Sequence, residues 1–231
     1  MPSSALPAKG AVDGRRARGD KARAHVLAQS RLIASTKGLD GLTLGRVAAE
    51  AGIGKGNIQV LFGTREALQL ATLESAVDMY REMVVEPALV QPSPLVRLLA
   101  LVEGWFAFVE NRSLPGGCFV NAVSSEYRAR PGPIRDRINN YRAQGRTRFR
   151  SLIREAQAQG ELRPDVDGSR LVFELVAYQA AANVASLMSD EEEFALARQM
   201  SRERITAVAT AHGLHIAASI ADEGGSSASF I

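Results

Sequence analysis

Residues 23–68 read RAHVLAQSRLIASTKGLDGLTLGRVAAEAGIGKGNIQVLFGTREAL. Val26, Leu27, Leu32 and Ile33 give the first segment an apolar side at helical spacing. A loop through Gly38 and Gly41 leads to Thr43, whose hydroxyl suits the cap of a second helix holding Val47, Ala48 and Ala51. Gly52 permits a sharp turn, and Ile53 can plug the angle that follows. The next short helix, residues 54–60, turns Ile58 inward and leaves Lys55, Asn57 and Gln59 to project. Two short helices joined by a glycine-containing turn form a helix-turn-helix, whose second helix enters the major groove of DNA.

The pattern T-x3-VA-x2-AGI-x-KG-x-I-x3-F-x2-RE-x-L, from Thr43 to Leu68, resembles that of the tetracycline-repressor (TetR) family of transcription regulators. The run LPGGCFVNAVSSEYRARPGPIRDRI, residues 114–138, is similar to one branch of that family, in which GGC-F and RPGPIRD elements recur. The resemblance implies a homodimeric regulator whose C-terminal helices bind a small molecule and pair two chains. It also implies DNA contacts from Thr43, Arg46, Lys55, Asn57, Gln59 and Arg65. Four positions depart from the family pattern. Gln59 stands where a tyrosine is usual, and Leu61 where an aromatic residue or histidine is common. Arg65 replaces a common lysine, and Arg46 stands where an acid would close a reciprocal capping bond. A tyrosine hydroxyl on phosphate is thus replaced by two amides, Asn57 and Gln59, each able to bond an adenine edge in bidentate fashion.

Charge is segregated along the 231 residues. Residues 1–65 carry eleven Lys/Arg against four Asp/Glu, whereas the rest carry 17 against 21. The N-terminal end is built to meet a polyanion, nucleic acid before an anionic membrane. Residues 1–20 combine glycine, proline and arginine without an apolar period and read as a disordered basic arm. Beyond them, Pro/Gly clusters punctuate helical patterns and almost nothing reads as strand. The spacing predicts helices near 21–37, 44–51, 54–60, 64–86, 93–111, 118–129, 133–159, 168–188 and 191–212. The fold class is all-α, about nine helices: a helix-turn-helix domain over 21–66, a larger ligand-binding and dimerisation domain over 67–215, and a flexible tail over 216–231. With one cysteine, three histidines, no stretch of about 18 or more uncharged apolar residues and no secretory leader, a cytoplasmic protein without disulfide, metal, cofactor or membrane span is expected.

Segment 93–111 is apolar nearly all round and must be central, with Gly104 leaving room beside Trp105. Trp105, Phe108, Phe119, Tyr127, Phe173 and Tyr178 read by themselves as core; the resemblance implies a ligand pocket among them. Glu174 and Asn183 interrupt an apolar helix and must each meet a ligand, a partner chain or another side chain. Asn183 is assigned to the dimer seam, and Glu174 is kept as a pocket candidate. Cys118, at a helix start, reads as a buried thiol before a redox sensor. His212 and His215 suit the negative end of a helix better than a metal pair. Arg142, Arg146, Arg150 and Arg154 form one helical stripe, read as a solvated face with an anionic ligand or a second DNA contact as alternatives.

The functional expectation is a ligand-released repressor acting as a homodimer on palindromic double-stranded DNA. A helical interaction module without specific DNA binding is the first alternative, kept open by Gln59 and Leu61. An enzyme is the second, although no nucleophile–base pair, metal cluster or phosphate loop is discernible.

Overall fold

The computed structural model describes residues 9–223, and among these no strand occurs beyond an isolated bridge between Leu162 and Ala209. The chain divides within its fourth helix into a compact unit ending at Ser75 and a second starting at Ala76, so the first unit extends past the boundary expected at 66.

The first unit contains α1 (Lys9–Lys37), a 3-10 turn (Leu39–Gly41), α2 (Leu44–Ala51), α3 (Lys55–Phe62) and the start of α4 (Arg65–Tyr80). Residues 9–20, expected as an arm without regular structure, are helical and continue into α1; residues 1–8 of that arm lie outside the described residues. The inner face of α1 runs through Val26, Ser30 and Ala34, while Leu32 is exposed. α1 packs against α2, α3 and the 3-10 turn, and Leu42, Val47, Ile58 and Leu68 are fully buried in the same unit. Arg23 lies 4.4 Å over the Phe62 ring and donates to the Leu61 carbonyl at 2.9 Å, pinning α1 to α3. Gly52 ends α2 with φ 64°, a left-handed conformation that supplies the turn.

In the second unit α4 gives way to a π-helical turn (Arg81–Val85) and α5 (Glu86–Leu89). After these come α6 (Pro94–Glu110), α7 (Phe119–Glu126), α8 (Pro133–Ala158), α9 (Gly168–Met188), α10 (Glu191–Val208) and α11 (Ala211–Glu223). Local chemistry sets the helix starts. Ser93 caps α6 through Val96 N–H, Asp167 caps α9 through Ser169 and Arg170, and Asp190 caps α10 through Glu193. The buried Glu161 carboxylate also accepts from Leu95 N–H at 2.7 Å, placing a negative group at the positive end of α6.

α6 is central, as its composition demands, and packs against α8, α9, α10 and the π-helical turn. The room at Gly104 is not beside Trp105 but is taken by Val84: a Cβ there would lie 2.9 Å from its methyl group. His212 and His215 stand in the first turns of α11 rather than near a C-terminus, and residues 216–223 are helical rather than a tail; 224–231 lie outside the described residues. α9 is, by length and composition, apolar enough to cross a membrane, with a window of mean hydropathy 1.4. Glu174 falls within every 18-residue window of that helix, so it is not an uncharged run of the kind expected to be absent. Leu171, Val172, Leu175, Ala182 and Ala185 seat one face of α9 in the core.

Candidate DNA-binding and ligand-binding sites

On the first unit, α3 turns Ile58 and Phe62 into the core and leaves Lys55, Asn57, Gln59 and Val60 exposed. A Cβ added at Gly56 would meet nothing within 4 Å, so α3 presents bare backbone between Lys55 and Asn57. Val60, 86% exposed, was missed in the sequence; an outward valine one residue beyond Gln59 is the signal that would have found it. It adds an apolar group suited to a thymine methyl.

The other expected DNA-contacting residues are engaged locally. The Thr43 hydroxyl accepts from Arg46 N–H at 3.1 Å as the α2 cap. The Arg46 guanidinium donates to the Gly41 carbonyl at 2.7 Å. Arg65 donates to the carbonyls of Leu42 at 2.8 Å and Asp40 at 2.5 Å, with the Asp40 carboxylate 3.7 Å away. Its guanidinium thereby ties α4 to the loop before α2. The Gln59 side-chain amide donates to the Gly63 carbonyl, closing the end of its own helix.

The second unit encloses a cavity of about 600 Å³ between α4, α6, α7, α8 and α9. Of the aromatics expected to line it, Trp105, Phe108 and Phe119 do so. Tyr127, Phe173, Tyr178 and Glu174 do not. Tyr127 is buried under Arg130, whose guanidinium lies 5.4 Å from its ring. Phe173 is 72% exposed on the outer face of α9, and Tyr178 is half-buried on the same helix. Glu174 joins Arg170 at 3.0 Å and Arg204 of α10 in a surface ion cluster. The bond from Arg204 holds its carboxyl below the usual range, overcoming some desolvation, with Arg170 adding to the effect.

Several lining residues were not expected there. Tyr80 of α4 lies edge-on to Phe108, with ring centroids 5.5 Å apart. Burial pushes its phenol well above the ordinary value, and Cys118 adds to the rise while the Arg148 charge opposes it. Asn183, assigned from sequence to the seam between chains, is instead internal: its Oδ1 accepts from Cys118 N–H at 2.7 Å and it lines the cavity. Gly117, with φ 72°, admits this contact, since a Cβ there would come within 2.5 Å of that oxygen. Gln179 lines the same space, its Nε2 buried without a hydrogen-bond partner. The arginine stripe divides. Arg142 and Arg146 border the cavity, whereas Arg150 and Arg154 bond to Thr147 and Ser151 of their own helix.

Cys118 also borders the cavity. Burial pushes its thiol up, against the opposing pull of the Trp105 side chain and the N–H groups of Asn121 and Val120. A raised thiol is a poor nucleophile at neutral pH. Full-length protein should therefore react with iodoacetamide more slowly than free cysteine, and Cys118→Ser should melt at nearly the same temperature; rapid alkylation would mark a sensor instead. Among the described residues no group of three His, Cys, Asp or Glu side chains is placed to hold a metal.

The chain thus combines an exposed helix-turn-helix in one unit with a cavity-bearing helical bundle in the other. The family described as Tetracyclin repressor-like, C-terminal domain matches residues 94–201, which cover α6 through most of α10. Residues 94–201 thus carry a TetR-type C-terminal domain, and in this chain a helix-turn-helix precedes it. No curated protein matches the sequence. Among solved structures, the chain is similar to a TetR transcriptional regulator from Chloroflexus aurantiacus, with 24% identity and a TM-score of 0.77, covering 84% of this chain and 98% of that one. A putative transcriptional regulator from Saccharomonospora viridis in complex with choline gives 20%, 0.72, 83% and 99% in the same order. AibR in complex with isovaleryl coenzyme A and operator DNA gives 18%, 0.58, 71% and 86%.

Proposed function

We propose that this chain is a homodimeric, DNA-binding transcriptional regulator, working in the cytoplasm as a repressor released by a small molecule that enters the α4–α9 cavity. The exposed face of α3 carries the reading: a lysine, two amides and a valine on a helix whose opposite face is locked into the core, within a segment of net positive charge. Lys55 would meet phosphate, and Asn57, Gln59 and Val60 base edges. To read a base, Gln59 must give up its bond to Gly63. Thr43, Arg46 and Arg65 hold α2 and the α4 start in place, and any contact they make with DNA is backbone contact.

The second copy would pair along α9 and α10. Phe173, Val184 and Met188 of α9 are exposed, as are Leu196 and Met200 of α10. Exposed large apolar side chains concentrated on two helices that pack together mark an interaction site, and a symmetric pair would bury them against their copies. The two α3 helices then meet half-sites about one helical turn apart, so the operator is palindromic. AibR was solved with both an acyl-coenzyme A and operator DNA, which supports joint use of ligand and DNA on this fold. α4 contributes Arg65 and Leu68 to the first unit and Ala76, Val77 and Tyr80 to the cavity wall. Its π-helical continuation is a point where hydrogen-bond register changes, a feature frequent at functional sites.

Selection of bound sequences from random duplexes tests the proposal. A palindromic motif is expected. Asn57→Ala should relax preference at one base of each half-site, at about 1–3 kcal/mol. Lys55→Ala should weaken binding to all sequences and flatten the salt dependence. Equal affinity for selected and random duplexes at moderate salt overturns the regulator and returns the interaction module.

A further inference from the structure

The cavity's charge pattern is one-sided. Arg142, Arg146 and Arg148 of α8 line it, and no aspartate or glutamate does. None of the three makes an ion pair or hydrogen bond with another described side chain, in contrast to Arg198, Arg202 and Arg204, each of which binds a carboxylate. Arg146 and Arg148 are half-buried, and Arg148 lies close enough to Tyr80 for its charge to act on the phenol. Gly145, between the arginines, borders the cavity, and a Cβ there would meet nothing within 4 Å. The facing helix α6 supplies only apolar groups, Leu101, Trp105 and Phe108. Gln179 of α9 adds a buried amide nitrogen that lacks an acceptor.

Unpaired guanidinium groups on a partly dry wall need an anion, and their planar donors match carboxylate and phosphate oxygens two at a time. An apolar wall opposite needs a hydrocarbon or ring body. We infer that the ligand is an anionic amphiphile, a body of apolar carbon with a single carboxylate or phosphate head that is held by Arg142, Arg146 and Arg148, its body lying against Trp105 and Phe108. A head-group acceptor also satisfies Gln179 once that side chain rotates. The inference rests on the cavity being the ligand site of the proposed regulator. It excludes quaternary ammonium ligands of the kind that the Saccharomonospora viridis protein was solved with, because a cation would face three like charges and no carboxylate.

Trp105 is the only tryptophan in the chain and borders the cavity, so its emission reports occupancy directly. Full-length protein is titrated with four probes that share one chain: octanoate, octyl phosphate, octyltrimethylammonium and 1-octanol. The expected result is a saturable change in emission with octanoate or octyl phosphate, at least roughly tenfold tighter than with the cation or the alcohol. The two anionic arms identify the head group. Arg146→Gln/Arg148→Gln should lose roughly tenfold or more in anion affinity and leave 1-octanol binding unchanged. Should that variant fail to fold by circular dichroism, Arg142→Gln, on an exposed side chain, makes the same comparison with a smaller loss. Equal or tighter binding of the cation overturns the inference, as does unchanged anion affinity in the folded variants, or no response to any probe below micelle formation. DNA is absent from this assay, so a chain that selects no DNA sequence yet prefers the anions loses the regulator reading and keeps this one.

Discussion

Phe106→Ala is expected to lower the stability of the second unit by about 3–5 kcal/mol, the range for removing a fully buried aromatic side chain. Phe106 has no exposed surface and stands on the central helix. Its ring meets Phe194 of α10 edge-on at 5.5 Å and Trp105 at 5.0 Å, so truncation removes two aromatic pairs together with the buried area. Phe106 does not line the α4–α9 cavity, and the hole left behind would be new, dry and unable to collapse onto rigid helices. For a chain of this length the loss corresponds to a fall in melting temperature of roughly 6–20 °C. Thermal unfolding followed by circular dichroism measures it. A fall of only a degree or two would mean that α6 is not the centre of the bundle.

That centrality was legible in the sequence, because an apolar residue at nearly every position from Leu95 to Val109 leaves a helix no solvent face. The helix-turn-helix was legible for a similar reason. Thr43, Gly52 and the outward residues of α3 act through local backbone chemistry that spacing alone exposes. Ser93 before Pro94 and Asp190 before three glutamates marked two further helix starts, and the Asp167-Gly168 break marked a third. The cavity was less legible, since its lining depends on which faces of α8 and α9 meet, a tertiary fact. Aromatic content picked out Trp105, Phe108 and Phe119, which point inward, and equally Phe173, which points out. Asn183 looked like a seam residue because nothing nearby in sequence could bond it; its partner, Cys118 N–H, is 65 residues away. The arginines of α8 looked like a solvated stripe because most of their helix is polar. Arg142 and Arg146 one turn apart, with Gly145 and Phe149 on the adjoining face, were the signal that the stripe borders a space.

The second large effect is expected at Glu103. This carboxylate is 5% exposed on α6, and both Arg198 and Arg202 of α10 bond it, at 2.8 Å for Arg198 Nε and 2.7 Å for Arg202 Nη2. Desolvation raises its pKa, but the hydrogen bonds from Arg202 and Arg198 and their charges outweigh it and hold the carboxyl below its ordinary 4.5. The reciprocal effect raises Arg202, chiefly through the same bond. Glu103→Ala removes the shared acceptor and leaves two guanidinium groups facing an apolar helix. Breaking a buried pair in this way costs about 3–5 kcal/mol, and the lower end applies because Arg198 and Arg202 keep some contact with water. Arg198 retains Glu110 at 3.2 Å, a second reason for the lower figure. The pH dependence has a definite sign. A carboxyl whose pKa is lower folded than unfolded stabilises the protein fully above the unfolded value, and that stabilisation is lost as pH falls through the folded value. The wild type should therefore lose stability on acidification from about pH 4.5 downward, and Glu103→Gln should lose less over the same interval. Denaturant melts at neutral pH and at successively lower pH provide the comparison. Parallel curves for wild type and Glu103→Gln would show that the charge on this carboxylate contributes nothing specific to holding α10 against α6.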